Sequence, residues 1–174
     1  VASLGYFRSQ DLEPAISAII SRLQNDQSIE IRAAAATALP GFPGYRDLTI
    51  PPLLNALQDQ SDAVCAAAGD SLGKIGRDAK QGLLERLKSP TFNLRVRRFA
   101  ATALAGEGIN KSKDINEIVP VLLEVLNNRD NDIELRRRAA YSLAQLRSMD
   151  EEKLGVVIAN LKDKSAPVRG AVAS

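Results

Sequence analysis

One pattern of apolar and small residues recurs along this chain. Its complete form is an apolar residue, then arginine in most copies, and after two further residues a run of mostly small residues that ends in leucine. Advancing 100° per residue places the first, fifth, eighth and ninth positions on one face of a helix, so each copy predicts an amphipathic helix. The complete copies are Ile31–Leu39, Val64–Leu72, Val96–Leu104 and Leu135–Leu143.

A partial copy lies near each end of the sequence. Val168-Arg169 begins a fifth copy, and Ala2-Ser3-Leu4 matches the end of an earlier one. The equivalent leucines are spaced by 35, 33, 32 and 39 residues, which is the period of stacked helical units. Both partial copies predict that the parent protein continues in both directions with more repeats or other domains.

A second apolar stretch precedes each copy, so every unit is predicted to hold two helices, A and then B. Polar Asn- and Asp-rich turns separate the two helices, and Pro14, Pro52 and Pro120 are expected near the starts of A helices. We therefore predict an all-α fold, an α-α superhelix of about five stacked two-helix repeats in a single domain. The predicted repeats are 11–47, 48–78, 79–113, 114–149 and 150–174, with 1–10 as the tail of a preceding repeat.

The pattern Val-Arg-x-x-Ala-Ala-x-Ala-Leu, seen most clearly at Val96–Leu104, resembles that of bacterial HEAT repeats, including the subgroup found in phycobilisome-lyase proteins. The resemblance implies that the arginine at the second position pairs with an acidic turn residue and forms a structural ladder between repeats. Cys65 replaces the arginine in the second repeat, so we expect a gap there and a small, space-filling cysteine. The ladder arginines are Arg32, Arg97, Arg136 and Arg169, with Asp26, Asp59, Asp132 and Asp163 as acceptors.

The third, seventh and tenth positions of each copy fall on the face opposite the core, which in HEAT repeats tends to line a concave groove. Most residues there are small, but Arg98, Thr102, Arg137 and Tyr141 form a candidate partner-binding patch. Arginine and tyrosine are enriched at interface hot spots. A plain solvated face is the alternative interpretation. The long connections 40–47 and 105–114 are further candidate binding segments, or else loops that merely pack on neighbouring repeats.

Composition narrows the function classes. The chain has 174 residues, a net charge of +2, one cysteine and no histidine. Without histidine there can be no Ser-His-Asp or Cys-His catalytic system and no imidazole–zinc site. The charge balance gives no general attraction to nucleic acid or anionic membranes, and no apolar run reaches the length that spans a bilayer. A lone cysteine fits a reducing compartment, so we expect a cytoplasmic protein, and the resemblance to bacterial HEAT repeats implies a bacterial one.

No motif in the sequence indicates a catalytic, cofactor-binding or metal site. Asp130, Asp132 and Glu134 lack the glycine and final glutamate of a calcium loop, and the glycine-rich segments at 73–76 and 106–108 are too short to hold a phosphate. We therefore expect a non-enzymatic scaffold for a protein partner, without cofactor. Two alternatives stay open: a subunit of a bilin lyase, which the resemblance implies, and nucleic-acid binding, which the sparse basic residues of the first two repeats disfavour.

Overall fold

A computed structural model describes residues 12–110 and 115–146. Within these residues it contains helices and turns and no strand. The helices are α1 (Glu13–Asn25), α2 (Ile29–Ala38), α3 (Arg46–Ala56), α4 (Asp62–Ile75), α5 (Arg77–Lys88), α6 (Leu94–Ala103), the short α7 (Glu107–Asn110), α8 (Ile115–Asn127) and α9 (Ile133–Gln145). The all-α prediction is confirmed.

The long helices form two layers. The B helices are α2, α4, α6 and α9, and each packs on the next one in the stack. The A helices are α1, α3, α5 and α8, and each packs on the B helix of its own repeat. The predicted repeat starts at 48 and 79 fall two residues inside α3 and α5, which begin at Arg46 and Arg77. The fifth repeat at 150–174 and the tail at 1–10 lie outside the described residues.

In α2, α6 and α9 the residue three positions before the pattern caps the N-terminus of the helix. Ser28 and Asn93 occupy this position, and their side-chain oxygens accept the backbone N–H groups of Ile31 and Val96 at 3.2 and 3.0 Å. Asp132 does the same for α9. Short polar side chains cap helices in this way because the first N–H groups of a helix have no partner within it.

The predicted core face is buried in repeats two to four but only partly in the first. Val64, Val96 and Leu135 are at most 1% exposed, whereas Ile31 at the same position is 45% exposed. This position and the eighth one face the preceding repeat, and no described helix packs on that side of α2. Location in the stack therefore decides the burial, and the pattern alone does not.

Serine hydroxyls link successive B helices at the eighth position. Ser71 Oγ donates to the Ala36 carbonyl at 2.9 Å, and Ser142 Oγ donates to the Ala101 carbonyl at 2.7 Å. Both serines are buried, and both carbonyls lie where their helix ends. Pro40, four residues after Ala36, has no N–H to donate. The N–H of Ala105, four residues after Ala101, donates instead to the backbone carbonyl of Thr102. Each serine thus supplies a donor to a carbonyl of the preceding B helix that has no N–H partner within that helix.

The positions of two prolines differ from the prediction. Pro14 lies in the first turn of α1, but Pro52 and Pro120 lie inside α3 and α8. The prediction was wrong because α3 begins earlier than expected, directly after two 3₁₀ turns at Leu39–Gly41 and Pro43–Tyr45. An interior proline leaves the carbonyl four residues earlier without its helical N–H partner.

The two long connections pack onto the repeats. Phe42 and Tyr45 of the first connection are partly buried against the core. In the second, α7 buries Ile109 completely and contacts α4. A Cβ on Gly106 would lie 2.3 Å from the Gly73 Cα, and a Cβ on Gly76, whose φ is +80°, would lie 2.6 Å from the carbonyl of Gly108. The glycines allow this close backbone contact, which a side chain would prevent.

Candidate functional site

The four predicted patch residues lie on two packed B helices. Arg98 and Thr102 are one turn apart on α6, and Arg137 and Tyr141 are one turn apart on α9, so each pair shares a helix face. The side chains of Arg98 and Arg137 are 32% and 38% exposed, and Tyr141 is 40% exposed. All four therefore lie on the two B helices that pack together between the third and fourth repeats.

Asp132 holds Arg98 in place. The Nε and Nη2 atoms of Arg98 donate to Asp132 Oδ1 at 3.1 and 2.6 Å. The same oxygen accepts the backbone N–H groups of Glu134 and Leu135 at the start of α9. Burial raises the pKa of the Asp132 carboxyl, but the bonds from Arg98 and the two N–H groups together lower it below its usual range. One carboxylate thus caps α9 and anchors an arginine of the preceding repeat.

Glu134 anchors two more arginines within α9. Arg137 donates from Nε to Glu134 Oε2 at 2.7 Å and from Nη2 to Oε1 at 2.5 Å, and Arg138 donates from Nε to Oε1 at 2.9 Å. The hydrogen bonds from Arg137, followed by those from Arg138, lower the pKa of Glu134 to about 2. Glu134 therefore stays ionised at neutral pH and works as an acceptor rather than as a proton donor.

Thr102 joins the two helices. Its hydroxyl donates to the Arg98 carbonyl at 3.1 Å and accepts from Arg138 Nη1 at 3.2 Å. The Arg138 guanidinium also lies 5.9 Å from the centre of the Phe99 ring. These contacts fix the orientation of Arg138 between α6 and α9, and they connect Arg98, Thr102 and Arg137 in one polar cluster.

Sequence reasoning missed Asp132, Glu134 and Arg138 as members of this cluster. The spacing of Glu134 to Arg137 and Arg138, three and four residues, is a helical ion-pair signal that was available. Arg98 and Asp132 are 34 residues apart, about one repeat, but their pairing depends on how the helices stack. Only the structure shows that contact.

The ladder arginines have different partners in different repeats. Arg32 donates from Nε and Nη2 to the two Asp59 carboxylate oxygens at 2.8 and 3.0 Å and so links the first and second repeats. Arg97 and Arg136 each donate from Nε to a carbonyl near the end of the A helix of their own repeat, that of Leu87 and that of Leu126, at 3.0 Å. Arg169 lies outside the described residues.

The second repeat holds no arginine at the ladder position. Asp59, the acceptor for Arg32, lies five residues before Val64, and the same position in the third repeat, which would supply the acceptor for the second repeat, holds the uncharged Thr91. Cys65 takes the place of the second arginine, is fully buried and lies 3.3 Å from the Leu57 carbonyl. Burial raises the pKa of the Cys65 thiol, which favours the inert space-filling role.

Arg95 supplies the link between the second and third repeats instead. Its Nε donates to Asp62 Oδ1 at 2.5 Å, and its Nη1 and Nη2 donate to the carbonyls of Asp59 and Gln60 at 2.7 and 2.8 Å. Arg95 lies two residues before the predicted ladder position, so the repeat pattern did not indicate it.

The neighbouring part of the groove is small and nearly neutral. A cleft of about 180 Å³ between α4 and α6 is lined by Gly69, Asp70, Gly73, Lys74, Thr102, Ala103, Gly106 and Glu107. Across the described residues no group of three or more Cys, Asp or Glu side chains is arranged to hold a metal ion. No helix in the described ranges is long and apolar enough to span a membrane.

Comparisons with known proteins agree with this architecture. The family model for HEAT repeats matches residues 16–105 and 81–174. A search of curated proteins finds no match. Among solved structures, the complex of CpcE and CpcF of phycocyanin lyase from Nostoc sp. PCC7120 is similar at a TM-score of 0.58 and 20% identity, covering 99% of this chain and 67% of that chain.

A second similar structure is an engineered protein. It matches at a TM-score of 0.51 and 19% identity, over 91% of this chain and 76% of that chain. At these identities both structures show a shared fold and nothing more. The family model, in contrast, covers well over half of the sequence. This chain therefore belongs to the HEAT-repeat family.

Proposed function

We propose that this chain is a non-catalytic scaffold that binds a protein partner through the patch formed by Arg98, Thr102, Arg137 and Tyr141. The observation that carries the proposal is that two partly exposed arginines, each held by a carboxylate, lie beside an exposed tyrosine on packed helices. We propose in addition that the protein is bacterial and cytoplasmic, and that it works without a cofactor or a metal ion.

The energetics favour binding at such a patch. Ordering a long arginine side chain at an interface costs about 0.5–1.5 kcal/mol, and that cost falls when the side chain is already held. Asp132 and Glu134 hold Arg98 and Arg137 before any partner arrives. A tyrosine adds a large, rigid contact area.

A bilin lyase subunit is the second candidate. It is supported by the likeness to the CpcE–CpcF complex of phycocyanin lyase, which covers 99% of this chain. Co-expression with a phycobiliprotein and bilin, read by chromophore attachment, tests it. Attachment that depends on this chain would replace the scaffold proposal.

Nucleic-acid binding has less support. A groove that binds a nucleic-acid backbone should present Lys or Arg at the exposed positions of every repeat, but the first two repeats hold mainly alanine, threonine and aspartate there. Salt-dependent retention of the chain on immobilised DNA would support this alternative, because phosphate contacts release counterions.

Site-specific photo-crosslinking tests the scaffold proposal. A photoreactive phenylalanine analogue replaces Tyr141, and the matched control carries it at Glu124, an exposed position on α8 of the A layer. After exposure to a bacterial cell extract, we expect a discrete adduct from position 141 and none from 124. Excess unmodified chain should suppress the adduct, and excess R98Q/R137Q chain should not. Equal adducts at both positions, or competition by both chains, would contradict the proposal.

A further inference from the structure

The cluster between α6 and α9 holds more positive than negative charge. Three guanidinium groups, those of Arg98, Arg137 and Arg138, share two carboxylates, those of Asp132 and Glu134. The cluster also lies at the N-terminus of α9, where the helix dipole adds positive potential. One unit of positive charge therefore remains uncompensated within this group of five side chains.

Two guanidinium edges stay available for a ligand. Arg98 and Arg137 each use Nε and Nη2 toward their carboxylate, and within the described residues neither Nη1 donates a hydrogen bond. Arg138 is more fully used, because it also donates to Thr102. A guanidinium fixed by one carboxylate can still bond a second acceptor through its free edge.

The surroundings decide which way a charged ligand can extend. Asp70 and Glu107 line the cleft on the α4 side of Thr102, together with Lys74. Acidic groups there oppose an acidic ligand, so its carboxylate is favoured at the α6–α9 junction. Tyr141 lies one turn beyond Arg137 on the same helix face and offers an exposed ring next to that position.

We propose that the partner contributes an acidic peptide segment, whose carboxylate bonds the free edges of Arg98 and Arg137 while a neighbouring apolar side chain packs on Tyr141. This inference rests on the proposed scaffold function and names the chemistry of the partner. Charge-assisted hydrogen bonds to arginine are stronger than neutral ones and give geometric selectivity for carboxylates.

Selection from a phage-displayed library of random twelve-residue peptides tests this inference. We expect the chain to enrich peptides that contain Asp or Glu next to a large apolar residue. Synthetic copies of these peptides should bind R98Q/R137Q at least ten-fold more weakly than the unmodified chain, and Y141A several-fold more weakly. Binding should also weaken as NaCl rises from 50 to 500 mM.

The control is R22Q, which removes an arginine that is likewise paired with an acidic residue of its own helix, Asp26, but lies on α1. It should bind as the unmodified chain does, and thermal melts should show that all variants are folded. Enriched peptides without acidic residues, or peptides that bind R98Q/R137Q unchanged, would overturn this inference while leaving the scaffold proposal in place. A selection that enriches nothing would count against both.

Discussion

Ser142 on α9 donates a buried hydrogen bond of 2.7 Å to the carbonyl of Ala101 on α6. Two repeats earlier in the stack, Ser71 on α4 makes the equivalent bond to the carbonyl of Ala36 on α2. In both cases the serine donates to a carbonyl of the preceding B helix that accepts no N–H from within that helix. These two contacts show how one repeat completes the hydrogen bonding of the one before it.

We predict that Ser142→Ala lowers the free energy of unfolding by about 1–3 kcal/mol. The loss arises because the buried Ala101 carbonyl would have no donor to replace the hydroxyl. Urea denaturation of the variant measures it. Ser17→Ala, at an exposed position of α1, is the matched control and should change stability by less than about 0.5 kcal/mol. Equal effects of the two substitutions would refute a structural role for the Ser142 bond.

The contact between Gly106 and Gly73 predicts a strong effect of a single methyl group. Gly106→Ala would bring a Cβ to 2.3 Å from backbone that cannot move aside, so we expect a loss of at least about 1–3 kcal/mol. Gly44→Ala is the control, since no atom lies within 4 Å of its Cβ, and it should be neutral or slightly stabilising. Thermal melts compare the two. A Gly106→Ala chain as stable as the unmodified one would contradict the close packing.

Glu134 predicts a specific acid sensitivity. Its pKa is lowered to about 2 in the folded chain from an ordinary value of 4.5, so its stabilising contribution is present above about pH 4.5 and is lost as pH falls toward 2. The unmodified chain should therefore lose more stability between pH 5 and pH 2 than Glu134→Gln, measured by urea denaturation at several pH values. Parallel pH profiles would show that Arg137 and Arg138 do not stabilise the Glu134 carboxylate.

The differing partners of the arginines predict unequal couplings. A double-mutant cycle with Arg32→Ala and Asp59→Ala should give a measurable coupling free energy, because their side chains form a two-bond ion pair. The matched cycle with Arg97→Ala and Asp130→Ala should give a coupling near zero, since Arg97 donates to the Leu87 carbonyl. Similar couplings in both cycles would show that Arg97 also pairs with an acidic turn residue of the next repeat.

The repeat pattern sufficed for the fold but not for the details of the site. Helix period and leucine spacing predicted the two-helix units, because both follow from local geometry. The pairing of Arg98 with Asp132 could not be predicted in this way, since it depends on the offset between two stacked helices. Ile31 makes the same point in the core: its residue type matches Val96, yet its exposure depends on what lies beside α2.

The central claim is that the partner binds at the patch, and hydroxyl-radical footprinting tests it most directly. The unmodified chain is footprinted alone and in complex with the partner that crosslinking at position 141 identifies. Tyr141 is 40% exposed on the patch, and Leu48 is 44% exposed on α3 in the A layer. Binding at the patch predicts that oxidation of Tyr141 falls several-fold in the complex while that of Leu48 stays unchanged. Protection of Leu48 with undiminished oxidation of Tyr141 would contradict the claim and move the interface to the A helices.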